Sequence, residues 1–358
     1  MYGRRTMSTS ASTVRQAEPV RILPRPVPHE ASGIRRILVC VDRSPFSEAC
    51  LPYAVAISRS LGSEITLLHV MQPPHEHSGL HSTDVLDWEI SSQEANAYLE
   101  RLQREGTAAS GRRVDTRLEQ GHPAERITSV AREIGADITV LGSHGERGVT
   151  AWTMGSTALQ VLAVTRGSVL VVRSSPETPI DVSPKRVLVP LDGSLRSESV
   201  LPTAVRIAGD HGAELLLVFV ALEPVPTAVL RAPEDLGVAR ELAARVERGG
   251  ARYLEGLRSQ LEREGASVRT IVLRSADEKQ ALLELSQKEH CDLIVLSAHG
   301  STCNPALTSG SVTAHLLTHS TIPLLVVQDL RDAELREQDG DQRNQSAPPL
   351  RASFPEDI

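Results

Sequence analysis

The sequence predicts a duplicated α/β fold, and three observations support that prediction. Short apolar stretches alternate with longer helical stretches from about residue 34 to residue 330, which is typical of parallel strands joined by helices. The order of these stretches repeats, so that Leu201-Pro202 follows Leu51-Pro52 after 150 residues. In each copy a glycine-containing loop separates an apolar strand from a helix. The chain has 358 residues, which is enough for the two domains that this repeat implies.

Composition narrows the function before any motif is considered. A formal net charge of -7 and an aromatic content of 3% argue against nucleic acid as the main partner. No apolar run approaches the roughly 18 residues of a transmembrane helix, so no membrane association is expected. The four cysteines form no CxxC pair, and the N-terminus lacks the apolar core of a secretory signal. We therefore expect a cytoplasmic protein with reduced cysteines.

The first copy is predicted to span residues 34–174. Its first strand, Ile34–Val41, is apolar almost throughout, as expected of a strand that is buried on both faces. A helix follows with Ser44 or Ser47 as its N-cap, and Pro52 favours the later start, because a proline inside a helix costs about 3 kcal/mol. Val114–Gln120 is more polar and is expected at a sheet edge. The other predicted elements are strands at Glu64–Met71, Ala136–Leu141 and Gly167–Arg173, and helices at Val85–Glu105 and Ala124–Ile134.

The second copy, residues 185–330, is expected to repeat this order. A linker with three prolines, 175–184, should join the two copies, and the polar segments 1–33 and 331–358 should be disordered tails. A break at Gly249-Gly250 would divide the longest helix. The predicted strands are Lys185–Leu191, Glu214–Val220, Val268–Leu273, Asp292–Leu296 and Thr321–Val327, and the helices are Ser194–Asp210, Glu234–Glu264 and Ala276–Glu289.

The loop after the fourth strand carries the most informative motif. In the first copy, Gly142–Thr157 reads GSHGERGVTAWTMGST, and three of its four glycines, Gly142, Gly145 and Gly155, are separated by two and by nine residues. Glycine lets the backbone approach a phosphate closely, and the free N–H groups at a helix start point outward. The second copy has Ser297-Ala298-His299-Gly300, followed nine residues later by Gly310 and Ser311. Both loops are therefore candidate anion sites.

This Gly-x2-Gly-x9-Gly-Ser pattern resembles the nucleotide-binding signature of the universal stress protein family. The first copy matches every fixed position, whereas the second has Ser297 in place of the first glycine. The resemblance covers about residues 34–330 and is that of a tandem member. It implies two Rossmann-like (adenine nucleotide alpha hydrolase-like) domains, each with a five-stranded parallel sheet of order 3-2-1-4-5 and helices on both faces. Some members of the family bind ATP or another adenine nucleotide, and others bind none.

In such a sheet the ligand lies beyond the carboxyl ends of the strands, where the strand order reverses. The implied order places that reversal between strands one and four, so Asp42 should meet Gly142, and Asp192 should lie beside the second loop. Asp42 can accept hydrogen bonds from ribose hydroxyls, while the backbone near Cys40 and Val70 can frame an adenine edge. The other nucleotide-binding candidates follow the family pattern: Leu141, His144, Gly145, Arg147, Gly155, Ser156, Thr157, Gly300, Gly310 and Ser311.

Bland interpretations of the same residues stay open. Asp42 could cap a turn or a helix, and the glycines could form tight turns without a ligand. His144 and His299 match between the copies and could pack or cap the loops rather than contact phosphate. The stretch from His75 to Asp84 contains three histidines and two carboxylates, but a solvated loop is a simpler interpretation than a metal site, and no metal ligand is assigned. Cys303 could be an exposed thiol, although no neighbouring cation would activate it.

The motifs favour binding over catalysis. The chain has no GxxxxGK[ST] motif, and Arg147 is the only cation of the first loop. We expect a stress-response regulator that binds ATP, ADP or AMP, with Mg²⁺ as an optional companion. The alternatives are a slow ATPase in which Asp42 holds Mg²⁺, and a nucleotide-free scaffold that recruits a protein partner through the tails or through Glu234–Glu264. The second loop should bind more weakly, because Ser297 resists a positive φ and Pro305 stiffens the loop.

The resemblance also predicts how the two copies associate. Single-domain relatives form homodimers, often through the fifth strand. Val169–Arg173 and Pro323–Val327 are therefore expected to pair inside one chain, which would make an internal pseudo-dimer. A homodimer of the whole chain would be a further level of assembly.

Overall fold

The computed structural model describes residues 34–72, 85–143, 154–165, 167–173, 182–223, 233–301 and 309–328. The predicted tails and most of the predicted linker lie outside these ranges. The strands within them are β1 (Arg36–Val41), β2 (Glu64–Met71), β3 (Val114–Gln120), β4 (Ile138–Gly142), β5 (Ser168–Val172), β6 (Arg186–Pro190), β7 (Glu214–Leu222), β8 (Ser267–Ser275), β9 (Leu293–Ser297) and β10 (Leu324–Val327).

Helices follow the strands in the order that the repeat predicts. They are α1 (Pro45–Glu48), α2 (Cys50–Leu61), α3 (Val85–Ser110), α4 (Pro123–Ile134), α5 (Ser156–Val164), α6 (Leu195–Glu198), α7 (Leu201–His211), α8 (Pro233–Arg263), α9 (Glu278–Lys288) and α10 (Ser311–His319).

All ten of these strands form one sheet of order β3-β2-β1-β4-β5-β10-β9-β6-β7-β8. The strands of each half are parallel and have the predicted order 3-2-1-4-5. Two apolar layers sandwich the sheet. Helices α2, α3, α7 and α8 supply one layer, and α4, α5, α9 and α10 supply the other. Each layer runs through both halves, so the duplicated chain has a continuous core.

The two halves join where β5 and β10 pair antiparallel, with Leu325 opposite Leu170. This is the internal strand pairing that the sequence predicts. Arg173 strengthens the junction, because its Nη2 donates to the carbonyl oxygens of Leu317 at 2.6 Å and Thr318 at 2.9 Å, in the last turn of α10. These carbonyls have no partner further along their own helix. None of the helices in the described ranges is long and apolar enough to cross a membrane.

One helix predicted after β1 is in fact two. The Ser44 side chain accepts a hydrogen bond from the Ser47 N–H at 3.1 Å and caps the four-residue α1. The longer α2 begins at Cys50, which places Pro52 in its first turn, where a proline removes no helical hydrogen bond. The helix ends at Gly62, whose φ of 75° suits glycine. The later start that Pro52 favours therefore describes α2, and Ser44 starts a separate turn.

The expected break at Gly249-Gly250 is wrong, because α8 continues through both residues. Gly250 is buried against the ring of Phe219 on β7, and a Cβ at this position would lie 2.9 Å from Phe219 Cγ. Nothing lies within 4 Å of the corresponding point at Gly249. Gly250 therefore allows the helix to approach the sheet closely, and the helix does not need to bend there.

Two aspartates brace equivalent corners of the sheet. Asp137, just before β4, accepts hydrogen bonds from the backbone N–H groups of residues 35 and 36 at 2.7 and 2.9 Å. Asp292, just before β9, accepts the same pair of bonds from residues 185 and 186, also at 2.7 and 2.9 Å. Each aspartate thus ties the start of the fourth strand of its half to the start of the first strand.

Candidate functional site

Asp42 lies immediately after β1, next to the point where the strand order reverses. Its Oδ1 accepts hydrogen bonds from the Ser44 N–H at 3.1 Å and the Ser44 hydroxyl at 2.6 Å. Its own N–H donates to Ser47 Oγ at 3.0 Å. These bonds make the turn that leads into α1, so Asp42 has the turn-capping role. They also hold its carboxylate at the carboxyl end of the sheet.

The glycine loop begins on the neighbouring strand. In the β1–β4 register, Val39 is opposite Val140, and two further residues bring Val41 level with Gly142. The Ser143 N–H donates to the Val172 carbonyl at 2.9 Å, and the Gly155 N–H donates to the Ser143 carbonyl at 2.7 Å. The second bond joins the two ends of the loop. The interior, residues 144–153, lies outside the described residues and includes three predicted site residues: His144, Gly145 and Arg147.

The loop returns to the sheet at the N-terminus of α5. Gly155 is the N-cap, with φ -61° and ψ 149°, an angle pair that any residue adopts. Of the described residues, a Cβ on Gly155 would meet only the Ser143 carbonyl oxygen, at an ordinary 3.5 Å. Ser156 is exposed, Thr157 is half-buried, and no side chain caps this end of α5. Among the described residues, neither the backbone nor the packing requires glycine here, and no side chain caps the N–H groups that begin α5.

Three of the predicted nucleotide-site residues lie on one face of the sheet. Cys40 and Leu141 are buried in the same apolar layer, and Val70 packs against it from β2. Burial alone raises the pKa of the Cys40 thiol far above its usual value, so this thiol is neutral. The three side chains together form an apolar wall behind the Asp42 turn.

Arg43 and Arg101 are two functional-site cations near Asp42 that no sequence motif indicates. Arg43 follows Asp42 with a φ of 69°, an unusual angle for a residue other than glycine, and its guanidinium lies 3.0 Å from Glu94. Arg101 on α3 binds Glu48 at 2.7 Å and neutralises the Glu48 carboxylate. The signal that could have found both is the repeat itself, because the matching residues of the second half are Gly193 and Gly256.

In the second half, Asp192 lies directly on the glycine loop, as predicted. Its Oδ2 accepts a hydrogen bond from the Ser301 N–H at 2.6 Å, and its Oδ1 accepts one from the Ser194 N–H at 2.9 Å. A Cβ on Gly300 would lie only 2.5 Å from Asp192 Oδ2, so glycine is required there. Burial opposes ionisation of this carboxyl, but the bonds from Ser194, Ser197 and Ser301 outweigh it and lower the pKa of Asp192.

Carboxylates dominate the surroundings of Asp192. Burial raises the pKa of Glu198 and of Glu278, and the negative charge of Asp192 raises both further. Glu198 accepts a hydrogen bond from the Tyr253 hydroxyl at 2.8 Å, whereas its counterpart Glu48 is paired with an arginine. Among the described residues, the second site therefore has more carboxylates without a paired arginine than the first, and negative charge disfavours a phosphate group.

The expectation that the position of Gly142 and Ser297 requires a positive φ is wrong. Neither Gly142 nor Ser297 has a positive φ, and the Ser297 hydroxyl donates to the His299 carbonyl at 2.6 Å without strain. Gly310 caps α10 with the same extended geometry as Gly155, and Ser311 is exposed at the first position of that helix. The backbones of the two sites are thus alike, and their described difference is one of charge.

No metal centre is found in the part of the chain that the structure covers. Within the described ranges, no three His, Cys, Asp or Glu side chains lie close enough together to hold an ion. The histidine-containing stretch from His75 to Asp84 and the Cys303 thiol lie outside those ranges. His299 is fully buried in the second loop, as its packing interpretation predicts.

Comparison with known proteins identifies the fold of both halves. A family model described as "Universal stress protein family" matches residues 33–173 and again residues 184–328. A putative universal stress protein of Staphylococcus epidermidis is 30% identical over 152 residues, which are 42% of this chain and 90% of that protein. The solved universal stress protein of Archaeoglobus fulgidus is 19% identical, with a TM-score of 0.56, and covers 83% of this chain and 100% of its own.

One further solved universal stress protein is in complex with cAMP. It is 19% identical, covers 39% of this chain and 96% of its own, and has a TM-score of 0.31. That ligand is a property of the other protein, whereas the family model matches both halves of this one. The chain therefore belongs to the universal stress protein family and carries the domain of that family twice.

Proposed function

We propose that the first half of this protein binds an adenine nucleotide and that nucleotide occupancy regulates the protein in a stress response. One observation carries the proposal. The N-terminus of α5, which no described side chain caps, lies at the strand reversal where Asp42 is held. A helix N-terminus attracts phosphate through its free N–H groups and its dipole, and Asp42 supplies a hydrogen-bond acceptor for ribose.

Each part of a nucleotide has a matching feature in this site. The apolar wall of Cys40, Val70 and Leu141 can pack against the adenine ring, and Asp42 can accept hydrogen bonds from the ribose hydroxyls. The N–H groups of Ser156 and Thr157, together with their hydroxyls, can bind the phosphates. The predicted roles of His144, Gly145 and Arg147 in covering the sugar and phosphates remain part of this proposal.

Mg²⁺ fits the proposal only as a companion of the nucleotide. Asp42 offers a carboxylate oxygen, which is a ligand type that Mg²⁺ prefers, and the described residues contain no group of three or more His, Cys, Asp or Glu that could hold the ion alone. ATP phosphates would have to supply other ligands. When bound, the ion would neutralise phosphate charge, and the residues of the chain would position the nucleotide.

The charges of the two sites support tighter binding by the first half. Glu48 is neutralised by Arg101 at the first site, while the second site combines Asp192, Glu198 and Glu278. A nucleotide at the second site would also have to displace the Asp192 carboxylate from the Ser301 N–H. We therefore expect about one high-affinity nucleotide per chain.

Regulation follows if the nucleotide prefers one conformation of the loop. A ligand shifts a conformational equilibrium by its differential affinity for the two states, and no chemical step is needed. The proposal accordingly assigns the protein a binding function in the cytoplasm. The cytoplasmic location rests on the cysteine pattern, since Cys40, Cys50 and Cys291 are all buried and unpaired.

The test uses two matched substitutions, Ser156→Glu and Ser311→Glu. Both serines are exposed at the first position of their helices, where a carboxylate stabilises the helix but repels phosphate. Isothermal titration with ATP, ADP and AMP should show binding to the unmodified chain, a loss of at least tenfold in Ser156→Glu, and little change in Ser311→Glu. Equal losses in both variants would contradict the assignment to the first half.

The same preparations separate the alternative functions. Denaturing the purified protein and identifying any released nucleotide by mass gives the ligand and its stoichiometry. If denaturation releases no nucleotide and the protein does not bind added nucleotide, the proposal is refuted and a scaffold role is favoured. Steady release of phosphate from ATP that is lost in Asp42→Ala would show that the protein is a slow ATPase rather than a binding regulator.

A further inference from the structure

We propose that the N-terminal half of α8 is a self-association surface, on which two copies of this chain pair their α8 helices antiparallel. The surface is the α8 stripe, defined as Val238, Leu242 and Val246. These side chains are 71%, 62% and 42% exposed. Their spacing of four residues places them on one side of the helix. Large aliphatic side chains aligned in this way and left in water mark an interaction site.

The stripe has no role in holding α8 on the sheet. The core contacts of this helix come from its later turns, where Tyr253, Leu254, Leu257 and Leu261 are almost completely buried. The corresponding helix of the first half, α3, has Asp87 and Ser91 at the positions that match Leu242 and Val246. The apolar surface is therefore specific to the second half, and the fold that both halves share does not require it.

A further exposed leucine lies at the same level of the molecule. Leu222 ends β7 and is 56% exposed. Arg274, which is opposite Ala221 in the β7–β8 register, binds Glu247 of α8 at 2.7 Å. Side chains alternate between the faces of a strand, and Leu222 is on the face of Leu216 and Val218, opposite α8, so the α8 stripe is confined to the helix.

The charges beside the stripe favour a second copy of the chain as the occupant. Glu241 and Arg245 lie on the same edge of the stripe and are 73% and 74% exposed. A two-fold axis through Leu242 would set Val238 against Val246 of the other chain. The same axis would set Glu241 of each chain near Arg245 of the other, which gives two symmetric ion pairs. The edge is thus complementary to itself in the antiparallel arrangement.

The opposite edge of the stripe allows the two helices to approach. It carries Ala239 and Ala243, whose small side chains leave the backbones free to come close. A parallel two-fold pair would instead set the edge with Glu241 and Arg245 against the alanine edge of the other chain, so that these ion pairs would not form. Charge therefore selects the antiparallel pair over the parallel one.

Sedimentation equilibrium of the full chain tests the surface. We expect the mass of two 38.7 kDa chains, and Leu242→Arg should weaken association at least tenfold without changing the far-ultraviolet circular dichroism. Ile90→Arg is the control, because Ile90 is an exposed apolar residue on the corresponding helix of the first half. A monomer at submillimolar concentration, or an unchanged dimer in Leu242→Arg, would overturn the proposal.

A charge exchange tests the antiparallel geometry. Glu241→Arg and Arg245→Glu should each weaken the dimer, and the double variant should restore it, because the exchanged charges again face each other. Leu242→Cys should form an intermolecular disulfide under mild oxidation, since this position lies on the two-fold axis. Failure of the double variant to recover the dimer, together with no crosslink at position 242, would show that the copies do not pair in this way.

Discussion

Replacing Gly250 with alanine should destabilise the protein even though alanine is the better helix former. In the structure, a Cβ at this position would lie 2.9 Å from Phe219 Cγ and 2.7 Å from Cε1, so the ring would have to move. That ring also makes an edge contact with Tyr253, at a centroid separation of 6.5 Å, which ties it to the core. The overlap therefore involves the base of the ring and cannot be relieved by a small swing of its far edge.

The two opposing effects can be estimated. Overpacking a close contact costs about 1–3 kcal/mol, and alanine gains about 1 kcal/mol over glycine inside a helix. Because several ring atoms are involved, we expect the upper part of the first range and a net loss of about 2 kcal/mol. Gly249→Ala, one residue away in open space, should instead stabilise by about 1 kcal/mol.

Urea unfolding followed by circular dichroism measures both variants. The reasoning would be refuted if Gly250→Ala were as stable as Gly249→Ala. A second comparison isolates the contact. In a Phe219→Ala background the ring is gone, so Gly250→Ala should become stabilising, like the change at Gly249.

Three further changes have defined outcomes. Arg43→Gly should raise the free energy of unfolding by about 0.5–1 kcal/mol, because it relieves a φ of 69°, and calorimetric titration should show weaker ATP binding from the lost cation. Arg173→Ala should lower the free energy of unfolding in urea by about 2 kcal/mol, since two carbonyls of α10 lose a charged donor. For Asp192→Asn, the folded state lowers the pKa of the native carboxyl, so its stabilising effect is complete above the unfolded pKa and is lost as the pH falls through the folded one. Unfolding at a series of pH values should therefore show the parent more stable than Asp192→Asn at neutral pH, and this advantage should shrink as the pH falls below about 4; a constant difference across the series would contradict the assignment.

The sequence predicts the architecture well because patterns of neighbouring residues indicate most of the strands and helices. Apolar strands, caps and terminal glycines are features of adjacent residues, and the repeat confirms each of them a second time. Most strand bounds agree with the structure within two residues. The strand order came from the family resemblance, and the structure has that order in both halves.

The features that the sequence did not reveal are contacts between distant residues. The bond between Arg101 and Glu48 joins residues 53 positions apart, and that between Asp137 and Arg35 spans 102. No local pattern marks such partners. Gly250 shows the same problem, because a glycine that admits a neighbouring ring is indistinguishable in sequence from one that breaks a helix. The acidity of the second site likewise becomes visible only when Asp192, Glu198 and Glu278 are brought together.

The antiparallel junction of β5 and β10 also decides where the sheet can grow. It covers two short, buried strands, so the free borders of the sheet formed by the described strands are β3 and β8. Both carry arginines bound to neighbouring helices, such as Arg117 to Glu133 at 2.6 Å and Arg269 to Glu289 at 2.5 Å. Charged borders discourage the addition of foreign strands. Separating the two halves would expose β5 as an unpaired apolar edge strand, which could pair with strands of other chains. Joining the halves in one chain keeps β5 paired with β10 and should therefore reduce aggregation.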